Sequence, residues 1–229
     1  FAASGMIGNL AIDDEDIVRL DPATGTFSLF FDGTDVGLSA NNVDAFHLRP
    51  DGTLLLSLTK TFKSAETGKA QNSDILRFTP VSLGENTSGS FALHFDGSDV
   101  GLSGGERIDG LAETPDGGLL ISTYSNVAVP GVEAGDKDLL LFSPTALGTN
   151  TNGSWSLYFK GANVGLTTKS ENIRGVAMFD AGHLYLSMKG KFQAGDASGG
   201  AIDILQCSLV TTGQQTACSP PPSVFWQGS

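Results

Sequence analysis

Three charged residues occupy equivalent positions in three copies of an internal repeat: Asp44, Asp109 and Arg174. Each is the second residue of a short apolar run, so a shared fold would bring the three side chains together. Two carboxylates could bind a hard cation such as Ca²⁺, which takes about six to eight oxygen ligands. Arg174 supports the alternative, because a cation in the third position neutralises carboxylates without a metal. The sequence leaves open a calcium site at Asp44 and Asp109, but it favours a structural cluster with Arg174 as counter-charge.

A second set of carboxylates opens another short strand in every repeat. The set comprises Asp16, Asp74, Asp138 and Asp203. The loops before these residues lack the alternating acidic residues and the closing Glu of an EF-hand. A carboxylate at the start of a strand commonly accepts hydrogen bonds from backbone N–H groups in a turn. We therefore predict a turn role for this set in preference to calcium binding.

The segment Gly101–Gly105 matches the Gly-x-Ser-x-Gly pattern of a nucleophile elbow. An elbow also requires a strand-to-helix turn and a partner histidine and acid. The equivalent segments, residues 37–41 and 165–169, are ordinary connections between repeats, and the three histidines fall at unrelated repeat positions. The histidines are His47, His94 and His183. We predict no catalytic residues here.

Aromatic side chains offer a different chemistry. Sugar rings stack on exposed aromatic faces, and aromatic rings also fill the space between packed sheets. The candidates for either role are Tyr124, Trp155, Tyr158 and Trp226. A carbohydrate-binding role therefore remains an alternative to a purely structural one.

Cys207 and Cys218 lie eleven residues apart, on either side of a turn-like segment at residues 210–215. A hairpin there would bring the two Cα atoms within bridging distance, and an oxidising compartment would close the bond. A metal or redox pair is disfavoured, because the spacing is not Cys-x-x-Cys and no histidine is nearby. We predict a disulfide between the third and fourth strands of the last repeat.

The elements that position these residues come from a tandem repeat. The sequence FDGTDVGL at Phe31–Leu38 returns as FDGSDVGL at Phe95–Leu102 and as FKGANVGL at Phe159–Leu166, each copy 64 residues after the one before. A fourth copy begins at Trp226. Identity at a fixed period indicates one supersecondary unit used about four times, here residues 1–40, 41–105, 106–170 and 171–229 of a single domain.

Each complete unit contains four short apolar runs of the length and composition of β-strands. In the third unit the first two runs flank the turn Pro115–Gly118, and the others begin near Asp138 and Ser154. No segment shows a sustained helical period, so we predict an all-β protein. Such units bury both faces by radial stacking, which predicts a β-propeller of four-stranded blades with the first strands lining the axis.

The amino end supplies less than a full blade. We expect residues 8–12 to form a shortened second strand and residues 1–7 a compressed first strand, which gives four blades with the first abbreviated. The alternative is a piece excised from a larger ring or array, and a chain that begins at Phe1 suggests a processed product. Residues 1–12 would either fold back to complete the ring or pair with a neighbouring molecule. We favour self-association.

The motifs Phe-Asp-Gly-Ser-Asp-Val-Gly-Leu, Ile-Asp-Gly-Leu, Pro-Asp-Gly-Gly-Leu-Leu-Ile-Ser and Asp-Leu-Leu-Leu-Phe-Ser-Pro run through almost the whole chain. In them the chain resembles tandem repeats of secreted and cell-surface bacterial proteins. More distantly, the strand order is similar to NHL-type and gluconolactonase-like propellers, some of which are metal-dependent hydrolases. No complete Glu, Asn and Asp ligand set of that family matches positions here.

The composition restricts the partners. A net charge of −12 and a pI near 4.4 repel nucleic acid and anionic membrane surfaces. No apolar run approaches the roughly 20 residues that a membrane span requires. Thirty glycines and few basic residues favour an extracellular or cell-surface β protein.

The sequence thus predicts a non-enzymatic scaffold or binding module without a cofactor other than possible calcium. The alternatives are a metal-dependent hydrolase with its site on the propeller axis and a glycan-binding propeller.

Overall fold

The described residues, 4–228 of a computed structural model, form antiparallel β-strands and short 3₁₀ helices. Within this range there is no α-helix, so the all-β prediction is confirmed. The same range holds no helix with the length and hydropathy that a bilayer span demands. The 3₁₀ helices are Thr34–Val36, Gly97–Val100, Gly161–Val164, Lys169–Glu171 and Gly213–Gln215.

The first unit contains two separate hairpins. One pairs β1 (Gly5–Ile7) with β2 (Leu10–Ile12), and the other pairs β3 (Ile17–Asp21) with β4 (Thr26–Phe31). Within the described residues, the sheet of this unit that corresponds to the larger sheets of the other units therefore consists of β3 and β4.

The prediction of a shortened second strand at residues 8–12 is wrong. Gly8 has a φ of +61°, which allows a tight turn that pairs Ile7 with Leu10. β2 therefore pairs with β1 and not with β3. The predicted first strand is also wrong where it covers Gly5–Ile7, and Phe1–Ala3 lie outside the described residues.

Each of the other units forms one sheet and a short separate hairpin between its second and third strands. The second unit contains β5 (Val43–Leu48), β6 (Leu54–Leu58), the hairpin β7 (Phe62–Ser64) and β8 (Gly68–Ala70), β9 (Ile75–Ser82) and β10 (Ser88–Phe95). The third contains β11 (Ile108–Glu113), β12 (Leu119–Thr123), the hairpin β13 (Val127–Val129) and β14 (Val132–Ala134), β15 (Leu139–Ala146) and β16 (Asn152–Phe159). The fourth contains β17 (Ile173–Asp180), β18 (His183–Met188), the hairpin β19 (Phe192–Ala194) and β20 (Ala197–Gly199), β21 (Ile204–Thr211), β22 (Ala217–Cys218) and β23 (Ser223–Trp226).

The first strands of these three units lie together. β11 packs against β5 on one side and against β17 on the other. Buried apolar residues of neighbouring units fill the space between successive sheets: Leu55 of the second unit and Ile121 of the third belong to one core cluster. The arrangement is propeller-like, and it places the start of each first strand at one end of a common axis.

The repeated acidic residues tie each turn to the end of the sheet. Asp138 Oδ2 accepts a hydrogen bond from Gly135 N–H (2.8 Å) and Oδ1 accepts one from Gly161 N–H (3.0 Å). The same two kinds of contact recur at Asp16, Asp74 and Asp203. The predicted turn role is confirmed at all four positions.

The Phe-Asp-Gly motif connects one unit to the next. Asp96 N–H donates to Thr151 Oγ1 of the following unit, and Asp99 Oδ2 accepts a hydrogen bond from Thr151 N–H, both at 2.9 Å. Thr87 makes the same pair of contacts with Asp32 and Asp35. The motif that revealed the repeat is thus a structural link between sheets.

The last unit differs in its fourth strand, which is split into β22 and β23 on the same edge of β21. Pro220, Pro221 and Pro222 stand between the two parts. Proline has no N–H for a ladder hydrogen bond, so the strand is interrupted there. The predicted disulfide is present: Cys207 of β21 is bonded to Cys218 of β22, with the Cα atoms 5.3 Å apart.

Reduction of this disulfide should lower the free energy of unfolding by about 2–3 kcal/mol, because an open eleven-residue loop has more conformations in the unfolded chain. Urea unfolding with and without dithiothreitol measures the difference. The double variant Cys207→Ser/Cys218→Ser should give a similar loss and no response to the reductant. Two titratable thiols in the denatured, unreduced protein would contradict the bridge.

Candidate functional site

The axial end of the first strands carries the predicted charge cluster. Asp109 on β11 and Arg174 on β17 lie together, with Arg174 Nε 3.6 Å from Asp109 Oδ2. Asp44 on β5 stands at the matching position of its own strand and lines the same groove as Arg174. The structure therefore brings an aspartate and its predicted counter-charge into an ion pair between two units.

A second arginine, which the sequence analysis missed, pairs with the other aspartate. Arg107 Nε contacts Asp44 Oδ2 in an ion pair that joins the second and third units. A signal was available in the repeat: the residue before the first strand is Asn42 in one copy and Asn172 in another, but Arg107 in the third. The cluster is thus two aspartates and two arginines, with no net charge when all four are ionised.

Asp109 is the most buried member of the cluster. Its side chain has 0% exposure, and neither carboxylate oxygen has a hydrogen-bond partner among the described residues. Burial raises the pKa of Asp109 to about 8, and the neighbouring Asp44 adds to the rise, while Arg174 and Arg107 oppose it. Burial also raises the pKa of Asp44, against the lowering effect of Arg107. At neutral pH the protonated form of Asp109 is therefore substantially populated.

Tyr124, which directly follows β12, lies close to three cationic side chains at this end of the axis. The Arg107 Cζ atom lies 4.4 Å from the centre of the Tyr124 ring, Arg174 Cζ lies at 5.2 Å and Lys189 Nζ at 5.8 Å. These are cation–π distances. Tyr124 is 44% exposed, but the guanidinium of Arg107 lies over its ring. Cationic side chains therefore lie against the aromatic ring on which a sugar would stack.

The other candidate aromatic residues differ in exposure. Trp155 is buried against Phe95 and Phe142, and its Nε1–H donates to the Val100 carbonyl at 2.9 Å. Trp155 is thus a packing residue. Tyr158 is half-buried, and Trp226 lies exposed on β23. Buried Trp155 is therefore not available for sugar stacking, and the glycan-binding role stays a prediction.

The metal prediction depends on Asp44 and Asp109. No group of three or more His, Cys, Asp or Glu side chains within residues 4–228 is placed to hold a metal ion. Each of the two carboxylates faces an arginine. Asp44 and Asp109 together would supply at most four of the roughly six to eight oxygens that Ca²⁺ takes, and backbone carbonyls or water would have to supply the others. A calcium role for Asp44 and Asp109 remains a prediction.

The Gly-x-Ser-x-Gly match lies in the connection between the 3₁₀ helix Gly97–Val100 and β11, whereas a nucleophile elbow lies between a strand and a helix. Ser103 Oγ accepts a weak hydrogen bond from Gly105 N–H (3.4 Å), and Ser103 N–H donates to Glu106. The three histidines have other surroundings. His47 Nε2 lies 4.0 Å from Glu113, His94 is buried and His183 bonds to Asp180.

The other part of the axis is apolar. A groove of about 580 Å³ runs between β5 and β17, with Asp44 and Arg174 among its lining residues. Phe46 and Phe179 line it and are exposed. The groove therefore continues from the charge cluster along an uncovered apolar wall.

Comparison with known proteins gives structural likenesses only. No family model matches the chain, and no curated protein matches it in sequence. The PQQ-bound aldose sugar dehydrogenase of Streptomyces coelicolor aligns over 90% of this chain and 95% of its own, at 14% identity and a TM-score of 0.37. The extracellular domain of a proposed one-component system from B. thetaiotaomicron aligns over 86% of this chain and 31% of its own, at 12% identity and a TM-score of 0.26. At these values the likenesses assign no function to this chain.

Proposed function

We propose that this chain is a non-enzymatic extracellular repeat protein that acts as a scaffold or binding module. The observation that carries the proposal is that the charged residues at the axis pair with one another. Both axial aspartates are engaged by arginines, Asp44 by Arg107 and Asp109 by Arg174, where an axial hydrolase would need an open ligand set. The four blades, the first of them abbreviated, belong to this proposal. So does the extracellular location, which the disulfide and the acidic composition support.

The decisive experiment measures calcium. We expect the purified protein to retain less than a tenth of an equivalent of metal, and 10 mM CaCl₂ to leave its unfolding midpoint unchanged. Even a weak extracellular site with a Kd of about 1 mM would add about 1.4 kcal/mol at that concentration. MgCl₂ at equal ionic strength controls for screening of the net charge of −12.

The metal-dependent alternative makes the opposite prediction. One equivalent of bound metal, lost in Asp109→Asn and retained in the exposed variant Asp196→Asn, would overturn the non-enzymatic proposal in favour of an axial metal site. Saturable binding on a glycan array, lost in Tyr124→Ala, would instead support the carbohydrate alternative.

A further inference from the structure

The first sheet has one edge without a partner strand. The third strands of the other units, β9, β15 and β21, pair on both sides, whereas β3 pairs only with β4 within residues 4–228. β3 otherwise matches β9 closely: Ile17, Val18, Arg19 and Leu20 correspond to Ile75, Leu76, Arg77 and Phe78. In the second unit, β6 pairs with this same edge through Leu54, Leu55 and Leu56. The backbone of β3 therefore offers a strand-pairing edge of known register.

The first strands show a matching gap. β11 has a neighbouring first strand on each side, and Leu111 is 1% exposed. The corresponding residue of β5, Phe46, is 47% exposed. Phe46 lies opposite Leu56, and Leu56 packs in the same core cluster as Ile17 of β3. Residues directly opposite on paired strands share a face, so the exposed side of β5 is the side that faces the first unit.

The fourth unit exposes the opposite wall of this gap. Tyr185 lies opposite Ala177, on the sheet face turned away from the core that the fourth unit shares with the third. The rings of Phe179 and Phe225 pack edge-on against Tyr185, with centroids 5.1 and 4.7 Å away. Phe179 is 79% exposed. Single exposed apolar residues are ordinary, but a contiguous aromatic patch on a sheet face marks an interaction site.

We propose that the groove between β5 and β17 binds a separate β-hairpin with the sequence pattern of the first and second strands of this repeat. The second strand of the hairpin would pair with the free edge of β3, and its first strand would lie between β5 and β17. The inner strands would then continue around the axis as they do at β5, β11 and β17. The proposal rests on the proposed role as a binding or scaffold module and names the chemistry of the partner.

The shape and composition of the groove favour this occupant over others. A strand pair satisfies the N–H and C=O groups along the β3 edge, which an apolar small molecule cannot do. Asp16 and Ile17, at the start of β3, line the same groove as Phe46 and Phe179, so one hairpin can reach the edge and both walls. The second strand should carry three successive aliphatic residues, as in Leu54–Leu56, because it would be covered on both faces.

The test uses a fluorescent peptide with the sequence of residues 43–58 and the protein of residues 1–229. We expect saturable binding by fluorescence anisotropy and at least tenfold slower hydrogen exchange at those amides of Val18, Arg19 and Leu20 that do not already bond to β4. A peptide with Leu55→Pro should not bind, because proline disrupts strand pairing. In the protein, Phe46→Asp or Phe179→Asp should weaken binding by about tenfold or more. Val81→Asp, at an exposed apolar residue outside the groove, should have no effect.

Each other outcome would overturn the proposal. Absence of binding to the folded protein, or binding unchanged in both Phe46→Asp and Phe179→Asp, would exclude the groove. Protection of the β3 amides in the protein alone, rising with its concentration, would identify a second copy as the occupant. Displacement of the peptide by a monomeric apolar dye, without β3 protection at any peptide concentration, would indicate a small-molecule pocket. A failed peptide with no bound metal refutes the groove proposal only, whereas bound metal refutes the non-enzymatic role.

Discussion

Replacing Gly97 by alanine is expected to lower the free energy of unfolding by about 3 kcal/mol or more. A β-carbon at Gly97 would lie 2.2 Å from the Ser73 carbonyl oxygen and 3.2 Å from Leu102 Cβ. The first contact is with backbone, so no rotamer change relieves it, and overpacking of this kind costs roughly 1–3 kcal/mol or more. Moving Gly97 away would also break its N–H hydrogen bond to Asp74 Oδ1 (2.9 Å).

The measurement is urea unfolding of Gly97→Ala beside two other variants. Gly161→Ala should behave like Gly97→Ala, because its β-carbon would lie 2.2 Å from the Lys137 carbonyl oxygen in the next copy of the motif. Gly105→Ala is the control, since its β-carbon would meet nothing closer than Ser103 Oγ at 3.7 Å. A loss below about 0.5 kcal/mol in both motif variants would show that the close approach does not restrain the fold.

Asp109→Asn is expected to remove most of a fall in stability that the wild-type protein shows between pH 6 and pH 8. The folded-state pKa of Asp109 is about 8, far above the unfolded value near 3.8. The folded protein therefore holds a proton that the unfolded chain releases in this range. A group with a raised folded pKa stabilises the fold fully below the unfolded pKa, and this stabilisation is lost as the pH rises towards the folded pKa.

The expected size of this pH effect follows from the one proton that the folded protein holds on Asp109. The free energy of unfolding falls by up to about 1.4 kcal/mol per pH unit while only the folded state is protonated. Between pH 6 and pH 8 we expect the wild type to lose about 2 kcal/mol more than Asp109→Asn, in which the amide cannot ionise. The test compares urea unfolding of both proteins across that range at constant ionic strength.

Asp196→Asn, at an exposed position, controls for the loss of one negative charge and should follow the wild type. A steeper fall in Asp109→Asn than in the wild type would contradict the prediction. It would show that ionised Asp109, paired with Arg174, is a net stabilising group.

Sequence alone predicted the sheet strands of the last three units, but not the short hairpin between the second and third strand of each. Sequence identity at a fixed period located these strands. Asp138 and its equivalents in the other units were correctly predicted to accept hydrogen bonds from N–H groups of a turn. The Cys207–Cys218 bridge followed from a local hairpin. All these features depend on neighbours within one unit, where spacing along the chain determines contact in space.

The tertiary structure decided how the units meet. Arg107 differs from Asn42 and Asn172 at the equivalent repeat positions, but only the fold shows that it pairs with Asp44 of another unit. The pairing of β1 with β2 was also hidden, because an apolar run such as residues 10–12 suits either a sheet strand or a separate hairpin. Pairing between strands depends on which edges and faces remain available after the sheets have packed, and a repeat pattern read along the chain does not contain that information.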